Sequence, residues 1–152
     1  LTQTDHMDMV ELEEGFIDLL NHRFRTESLL QNTPNQVALH HMSLRDFSHN
    51  LKDREPTRYD FIVSGLPLNN FTPECVEEVF HIFRQLLKPG GTLSYFEYMF
   101  FRSCRKPFNS RLQAIHTIVQ KQFHESSVQR DWVWRNITPA WVHHLQFSSP
   151  AS

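Results

Sequence analysis

Apolar and polar residues along the chain switch repeatedly between a period of two and a period near 3.6, the signatures of strand and helix. His6–Leu12 alternates and then turns acidic, which predicts a strand. From Glu13 to Arg25, Phe16, Leu19, Leu20 and Phe24 recur at helical spacing, with acids first and Arg23 and Arg25 last, as the helix dipole favours. Thr33-Pro34-Asn35 breaks the pattern. Gln36–His40 reads as a short strand, Leu44–Leu51 as a short helix, and Lys52–Arg58 as a polar loop around Pro56. Tyr59–Ser64 (YDFIVS) reads as a buried strand because apolar residues fill it almost without interruption.

Thr72-Pro73-Glu74 opens the next helix, with Thr72 as N-cap, Pro73 in the first position and acids in the first turn. Val76, Val79, Phe80, Phe83, Leu86 and Leu87 form its apolar stripe, and Lys88-Pro89-Gly90-Gly91 stops it. Thr92–Tyr98 is a further strand. A helix from Asn109 to Phe123 turns Leu112, Ile115, Ile118, Val119 and Phe123 to one side. Val128–Arg135 and Trp141–Phe147 read as two final strands around the turn Asn136–Pro139. Strands that alternate with helices imply a layered α/β fold with a mostly parallel sheet, and the closing pair is close enough to be an antiparallel hairpin.

With 152 residues, the expectation is one domain over residues 1–148 and a short tail, 149–152. Apolar residues at 39% are enough for a core and argue against disorder. No apolar run approaches the roughly 18 residues of a membrane-spanning helix, and no signal peptide opens the chain. Cys75 and Cys104 are too few for a disulfide scaffold or a cysteine-type zinc site and read as free thiols in a reducing cytosol. The start at Leu1 reads as that of a fragment.

Charge is divided unevenly. Residues 1–98 carry 8 Lys/Arg against 15 Asp/Glu, whereas residues 99–152 carry 7 against 2. Residues 99–124 hold Arg102, Arg105, Lys106, Arg111 and Lys121 with no acid, interleaved with Phe100, Phe101 and Phe108. Such a stretch suits a phospholipid membrane surface, with nucleic acid as the alternative anionic partner and plain solvated charge as the simplest reading. His40-His41 and His143-His144 are adjacent pairs, which a strand points to opposite faces, and no metal-ligand spacing is present. Trp132, Trp134 and Trp141 read as packing the sheet's edge, and Asp60 as structural.

Several motifs lie where open α/β sheets bind ligands, at the carboxyl ends of strands. Val10-Glu11-Leu12 closes the first strand on an acid, and Ser64-Gly65-Leu66-Pro67 closes the YDFIVS strand. With Leu87-Lys88-Pro89-Gly90-Gly91, this order resembles the Rossmann-like class I S-adenosylmethionine (SAM) dependent methyltransferases, entered at their second strand. VELEEGFIDLLNHRF, SGLPL, LLKPGG and WVWRNITPAWVHHL together resemble the bacterial phospholipid N-methyltransferases, which methylate phosphatidylethanolamine and are similar to ribosomal RNA adenine dimethyltransferases.

The resemblance implies SAM as cofactor, bound by Glu11, Leu12, Ser43 and Ser64, with the Glu11 carboxylate accepting the ribose hydroxyls. Ser43, in HHMSLRDF, stands nearest the position where the family places an adenine-facing acid, with Asp46 three residues on. It implies that Ser64, Gly65, Leu66 and Pro67 hold the acceptor amine. The implied reaction is direct methyl transfer without a metal. It implies a cytoplasmic enzyme, peripheral on the inner face of the cytoplasmic membrane. Two rival expectations stand beside it. One is an RNA adenine N6-methyltransferase-like enzyme, with Phe71 stacking on the base. The other is an inactive, truncated methyltransferase-fold module. The family's glycine-rich loop and central strand would precede Leu1, so the first strand reads as absent. Without that strand, neighbouring edges would be left unpaired and a core face uncovered.

Overall fold

A computed structural model describes residues 4–27, 36–52, 58–98, 110–133 and 140–147. The Thr33-Pro34-Asn35 break, the loop around Pro56, Arg102, Arg105, Lys106 with their neighbouring phenylalanines, Cys104, Trp134, the Asn136–Pro139 turn and the tail lie outside the described residues. The chain forms two compact units, residues 1–56 and 57–152.

The first unit runs β1 (Met7–Glu11), α1 (Glu14–Thr26), β2 (Val37–His41) and α2 (Leu44–Lys52). β1 and β2 pair in parallel from Met7↔Val37 to Glu11↔His41. Parallel neighbours need a crossover, which α1 supplies. Across the pair, His40 Nε2 lies 2.6 Å from Asp8 Oδ1, and the buried Phe47 of α2 packs on the His40 ring with centroids 4.9 Å apart. His41 points the other way and bonds the Leu12 carbonyl at 3.1 Å.

The buried face of α1 is rotated from the expected one. Ile17 is buried, with Leu20 and Phe24 half-buried beside it, while Phe16 is 58% and Leu19 48% exposed. Ile17, Leu20 and Phe24 are spaced i, i+3, i+7 and fall on one line of the helix. Phe16 and Leu19 sit to one side of that line.

The second unit contains β3 (Tyr59–Ser64), a short 3-10 turn (Leu68–Asn70), α3 (Pro73–Leu86), β4 (Leu87–Tyr98), α4 (Ser110–Ser126), β5 (Ser127–Val133) and β6 (Ala140–Gln146). Its sheet has the order β3-β4-β6-β5. β3 and β4 are parallel, whereas β6 is antiparallel to both of its neighbours. Parallel and antiparallel pairings are therefore balanced across the described strands, because the closing hairpin lays β6 directly against β4.

α3 starts as its sequence signals: the Thr72 hydroxyl accepts from Cys75 N–H at 3.3 Å, with proline in the first turn. The Glu74 carboxyl there is held below the usual glutamate range, first by its own backbone N–H and then by the Thr72 hydroxyl. α3 and α4 pack on one face of the sheet. Val76, Phe80, Phe83 and Leu86 of α3 join Ile115, Val119 and Phe123 of α4 over Leu93, Tyr95, His143 and Leu145. His143 is only 1% exposed, and its ring stacks on Phe123 at 3.9 Å.

β3 departs from its expected burial on both faces. Phe61 is 74% and Val63 72% exposed. Only the side bearing Ile62 and Ser64 turns toward the helices, because Ile62 pairs with Leu93 and Ser64 with Tyr95. Among the described strands β3 is also an edge of its sheet, and its apolar run has one covered face and one open one.

β4 begins at Leu87, where α3 ends, and the KPGG segment lies inside the strand as a bulge. Gly90 has φ +79°, and a Cβ on Gly91 would meet the carbonyl oxygens of Lys88 and Tyr59 at 3.0 Å and Asp60 at 3.1 Å. Lys88 Nζ straps the bulge by bonding both Asp60 carboxylate oxygens, at 2.9 and 2.8 Å. Gly90→Ala is expected to cost about 1–2 kcal/mol through its left-handed backbone alone. Gly91→Ala should cost more, since rigid backbone surrounds it. Thermal denaturation of the two variants checks the order.

Candidate functional site

Each expected site residue stands at the carboxyl end of a strand, where orphan backbone groups must find partners. Glu11 ends β1. Its Oε1 accepts from Leu12 N–H at 2.7 Å and Glu13 N–H at 2.8 Å. Glu13 is the N-cap of α1 and makes no side-chain cap itself, so the Glu11 carboxylate steadies that turn. Oε2 accepts nothing from the described residues. Leu12, beside it, is 67% exposed. A carboxylate oxygen with spare lone pairs next to an exposed apolar side chain can accept hydroxyl donors on a flat apolar ligand.

Ser43 follows β2. Its Oγ accepts from Asp46 N–H at 3.1 Å and donates to Asp46 Oδ2 at 2.7 Å. This is an N-cap for α2. Capping therefore occupies both side chains that the sequence places near an adenine position.

Ser64 ends β3 and is buried at 5% exposure. Its Oγ accepts from Leu66 N–H at 3.4 Å, setting the turn. A Cβ on Gly65 would lie 2.9 Å from the Phe96 ring, so glycine lets that ring close on the chain. Gly65 and Pro67 are exposed, and Leu66 is half-buried. Leu68 N–H donates to the Leu66 carbonyl at 2.9 Å, and Asn70 N–H to the Pro67 carbonyl at 2.8 Å. Each carbonyl keeps a second lone pair. The loop thus offers main-chain acceptors to solvent, with Ser64 behind them as a brace.

The basic residues divide. Lys121 is exposed on α4. Arg111 is exposed as well, with its guanidinium turned onto the 3-10 turn, where it donates to the carbonyls of Phe71 at 3.0 Å, Asn69 at 3.3 Å and Asn70 at 3.5 Å. Asp60 is used by Lys88, in keeping with a structural role. Trp132 and Trp141 meet edge to face at 4.1 Å on β5 and β6.

One constellation escaped sequence reasoning. Ser94 Oγ and His144 Nδ1 are 2.9 Å apart, and His144 Nε2 is 3.1 Å from Asp131 Oδ2. Gln129 Nε2 donates to both Asp131 oxygens at 2.9 Å. Three adjacent strands bring these residues to the face of the second unit's sheet opposite α3 and α4. The adjacent His143-His144 pair was the available signal, since one member had to face that side. The line has the residue types of a nucleophile relay, and it bridges β4, β6 and β5 as a cross-strand polar network. Among the described residues, no three His, Cys, Asp or Glu side chains cluster as a metal site.

The chain is similar to an ornithine lipid N-methyltransferase of Singulisphaera acidiphila, at 30% identity over 86 residues, covering 57% of this chain and 41% of that protein. In three dimensions it is similar to a putative O-methyltransferase from Klebsiella pneumoniae (TM-score 0.68, 10% identity, covering 97% of this chain and 64% of the other). It is likewise similar to the O-methyltransferase TomG of Streptomyces achromogenes, solved in complex with SAM (TM-score 0.67, 14% identity, 96% and 64%). No family model matches the chain. The chain spans about two fifths of the curated relative and just under two thirds of these structures. Its fold is the Rossmann-like class I methyltransferase fold.

The Asp131 carboxyl is held below the usual aspartate range, first by the Gln129 side-chain amide and then by His144, with burial opposing. A depressed folded-state pKa contributes stability that is present above the unfolded value and lost as pH falls through the folded one. Thermal midpoints should therefore fall through the acid range, and Asp131→Asn should flatten that part of the curve.

Proposed function

We propose that this chain belongs to an enzyme that uses S-adenosylmethionine to methylate the primary amine of a lipid head group, of the phosphatidylethanolamine or ornithine lipid kind. The observation that carries the reading is a class I methyltransferase fold in a chain 30% identical, over 86 residues, to a lipid N-methyltransferase. Glu11 and Leu12 suit the cofactor's nucleoside: Oε2, which accepts nothing from the described residues, would take ribose hydroxyls, and the exposed leucine would offer an apolar face to the adenine. Ser43 lies at the next strand end, with its hydroxyl committed to α2.

When bound, S-adenosylmethionine supplies a methyl group already activated on a sulfonium, so the protein needs no covalent intermediate. What remains is to align a neutral amine and exclude water from it. The exposed carbonyls of the Gly65-Leu66-Pro67 segment would accept the amine's N–H groups and leave its lone pair free for the methyl. Ser64, behind them, keeps the loop in register with β3.

A lipid acceptor brings a membrane surface with it. Arg102, Arg105 and Lys106 supply positive charge without a nearby acid in sequence, and Lys121 adds a further cation on α4, each worth roughly 1 kcal/mol beside anionic lipid. No described helix is long and apolar enough to cross a membrane. The reading places the enzyme at the membrane surface, on the cytoplasmic side.

Calorimetry with S-adenosylmethionine and transfer of labelled methyl to phosphatidylethanolamine or ornithine lipid in mixed micelles test the reading. Glu11→Gln keeps an oxygen for the Leu12 and Glu13 amides and removes the second acceptor. It should weaken cofactor binding by about tenfold or more, as for loss of a charge-assisted hydrogen bond. Labelling of adenine in RNA instead of lipid would move the function to RNA, with Phe71 as the stacking ring. Absence of cofactor binding would reduce the likeness to fold alone.

A further inference from the structure

We propose that Arg111 is the positioning residue of the loop Ser64–Phe71, an inference that rests on reading this loop as the acceptor site. Arg111 stands in the first turn of α4, at the positive end of the helix dipole. That turn contains no acid to offset it. Nothing in its own helix accounts for a cation there, and a residue that breaks a local rule calls for a compensating partner elsewhere.

The partner is 40 residues away in sequence, at the Phe71 carbonyl. With Asn69 and Asn70, Phe71 ends the 3-10 turn, where backbone acceptors lack partners within the turn itself. Nη1 serves Asn70 and Phe71, and Nη2 serves Asn69. A guanidinium can do this because its donors diverge in a rigid fork. An ammonium is a single point charge and cannot span the same carbonyls.

The loop's other restraints leave a gap that this clamp fills. β3 fixes it at Ser64, and the Thr72 cap fixes it at the start of α3. Leu68 anchors the middle at 2% exposure. The Phe96 ring supports Gly65 from one side. Among the described residues, Arg111 alone hydrogen-bonds the peptide groups between Leu68 and Thr72 from outside the loop. Through the Asn70 N–H bond to the Pro67 carbonyl, that tilt passes to the exposed acceptor segment. Arg111 therefore acts on the acceptor through the loop.

The test compares the full chain with Arg111→Ala and Arg111→Lys by amide hydrogen exchange and by methyl transfer to phosphatidylethanolamine in mixed micelles. Arg111→Ala is expected to speed exchange at Leu68, Asn70 and Phe71 by about tenfold or more, with the strands and α3 unchanged. Methyl transfer should lose kcat while the KM for S-adenosylmethionine holds. Arg111→Lys should recover only part of each effect and serves alone if the alanine variant does not fold. Unchanged exchange in the loop would overturn the proposal. So would loosening spread over the whole second unit, or full recovery by lysine. If the unaltered chain transfers no methyl group, the functional reading fails, and loop exchange alone then decides whether the clamp exists.

Discussion

A strand turns successive side chains to opposite faces, so a single layer of helices can cover only half of them. In the second unit this constraint sorts the residues. Ile62, Ser64, Leu93, Tyr95, His143 and Leu145 lie under α3 and α4, where Leu93 and Leu145 have no exposed surface. Their neighbours Phe61, Val63, Ser94 and His144 fall on the other side. The same alternation separates the two histidines of an adjacent pair: one stacks on a phenylalanine in the core, and the other bridges a serine and an aspartate.

The strand ends show a second economy. Chains leaving a sheet for a helix carry unpartnered backbone groups, and here polar side chains satisfy them. Glu11 serves the turn into α1, Ser43 that into α2, Thr72 that into α3, and Arg111 the turn before Thr72. Residues that the sequence suggests for ligand contact are thus also structural. A substitution that removes such a side chain acts on the turn as well as on chemistry, which is why amide-for-carboxylate and lysine-for-arginine exchanges are the informative ones.

Local signals were legible in the sequence. Thr72-Pro73 marked a helix start, the paired histidines marked opposite faces, and the strand-helix order came out as read, with β4 starting five residues before the expected Thr92. Relations between distant segments were not legible. An apolar run such as YDFIVS looks the same whether one face or both are covered. The seam of α1 passes through Ile17 because of what packs there, and helical spacing alone admits the neighbouring line through Phe16 and Leu19. Ser94, His144 and Asp131 meet only through sheet register, and the arginine clamp joins residues with no shared local pattern.

β3 has one further consequence. From Phe61 to Ser64 this edge strand carries no charge, proline or lysine, the usual devices that discourage a foreign strand. With Phe61 and Val63 standing into solvent, it is both a template for main-chain pairing and an adhesive surface. Self-association should therefore set the colloidal behaviour of the isolated chain. Its solubility would depend steeply on concentration, and mild chaotropes or a strand-mimicking peptide would keep it dispersed.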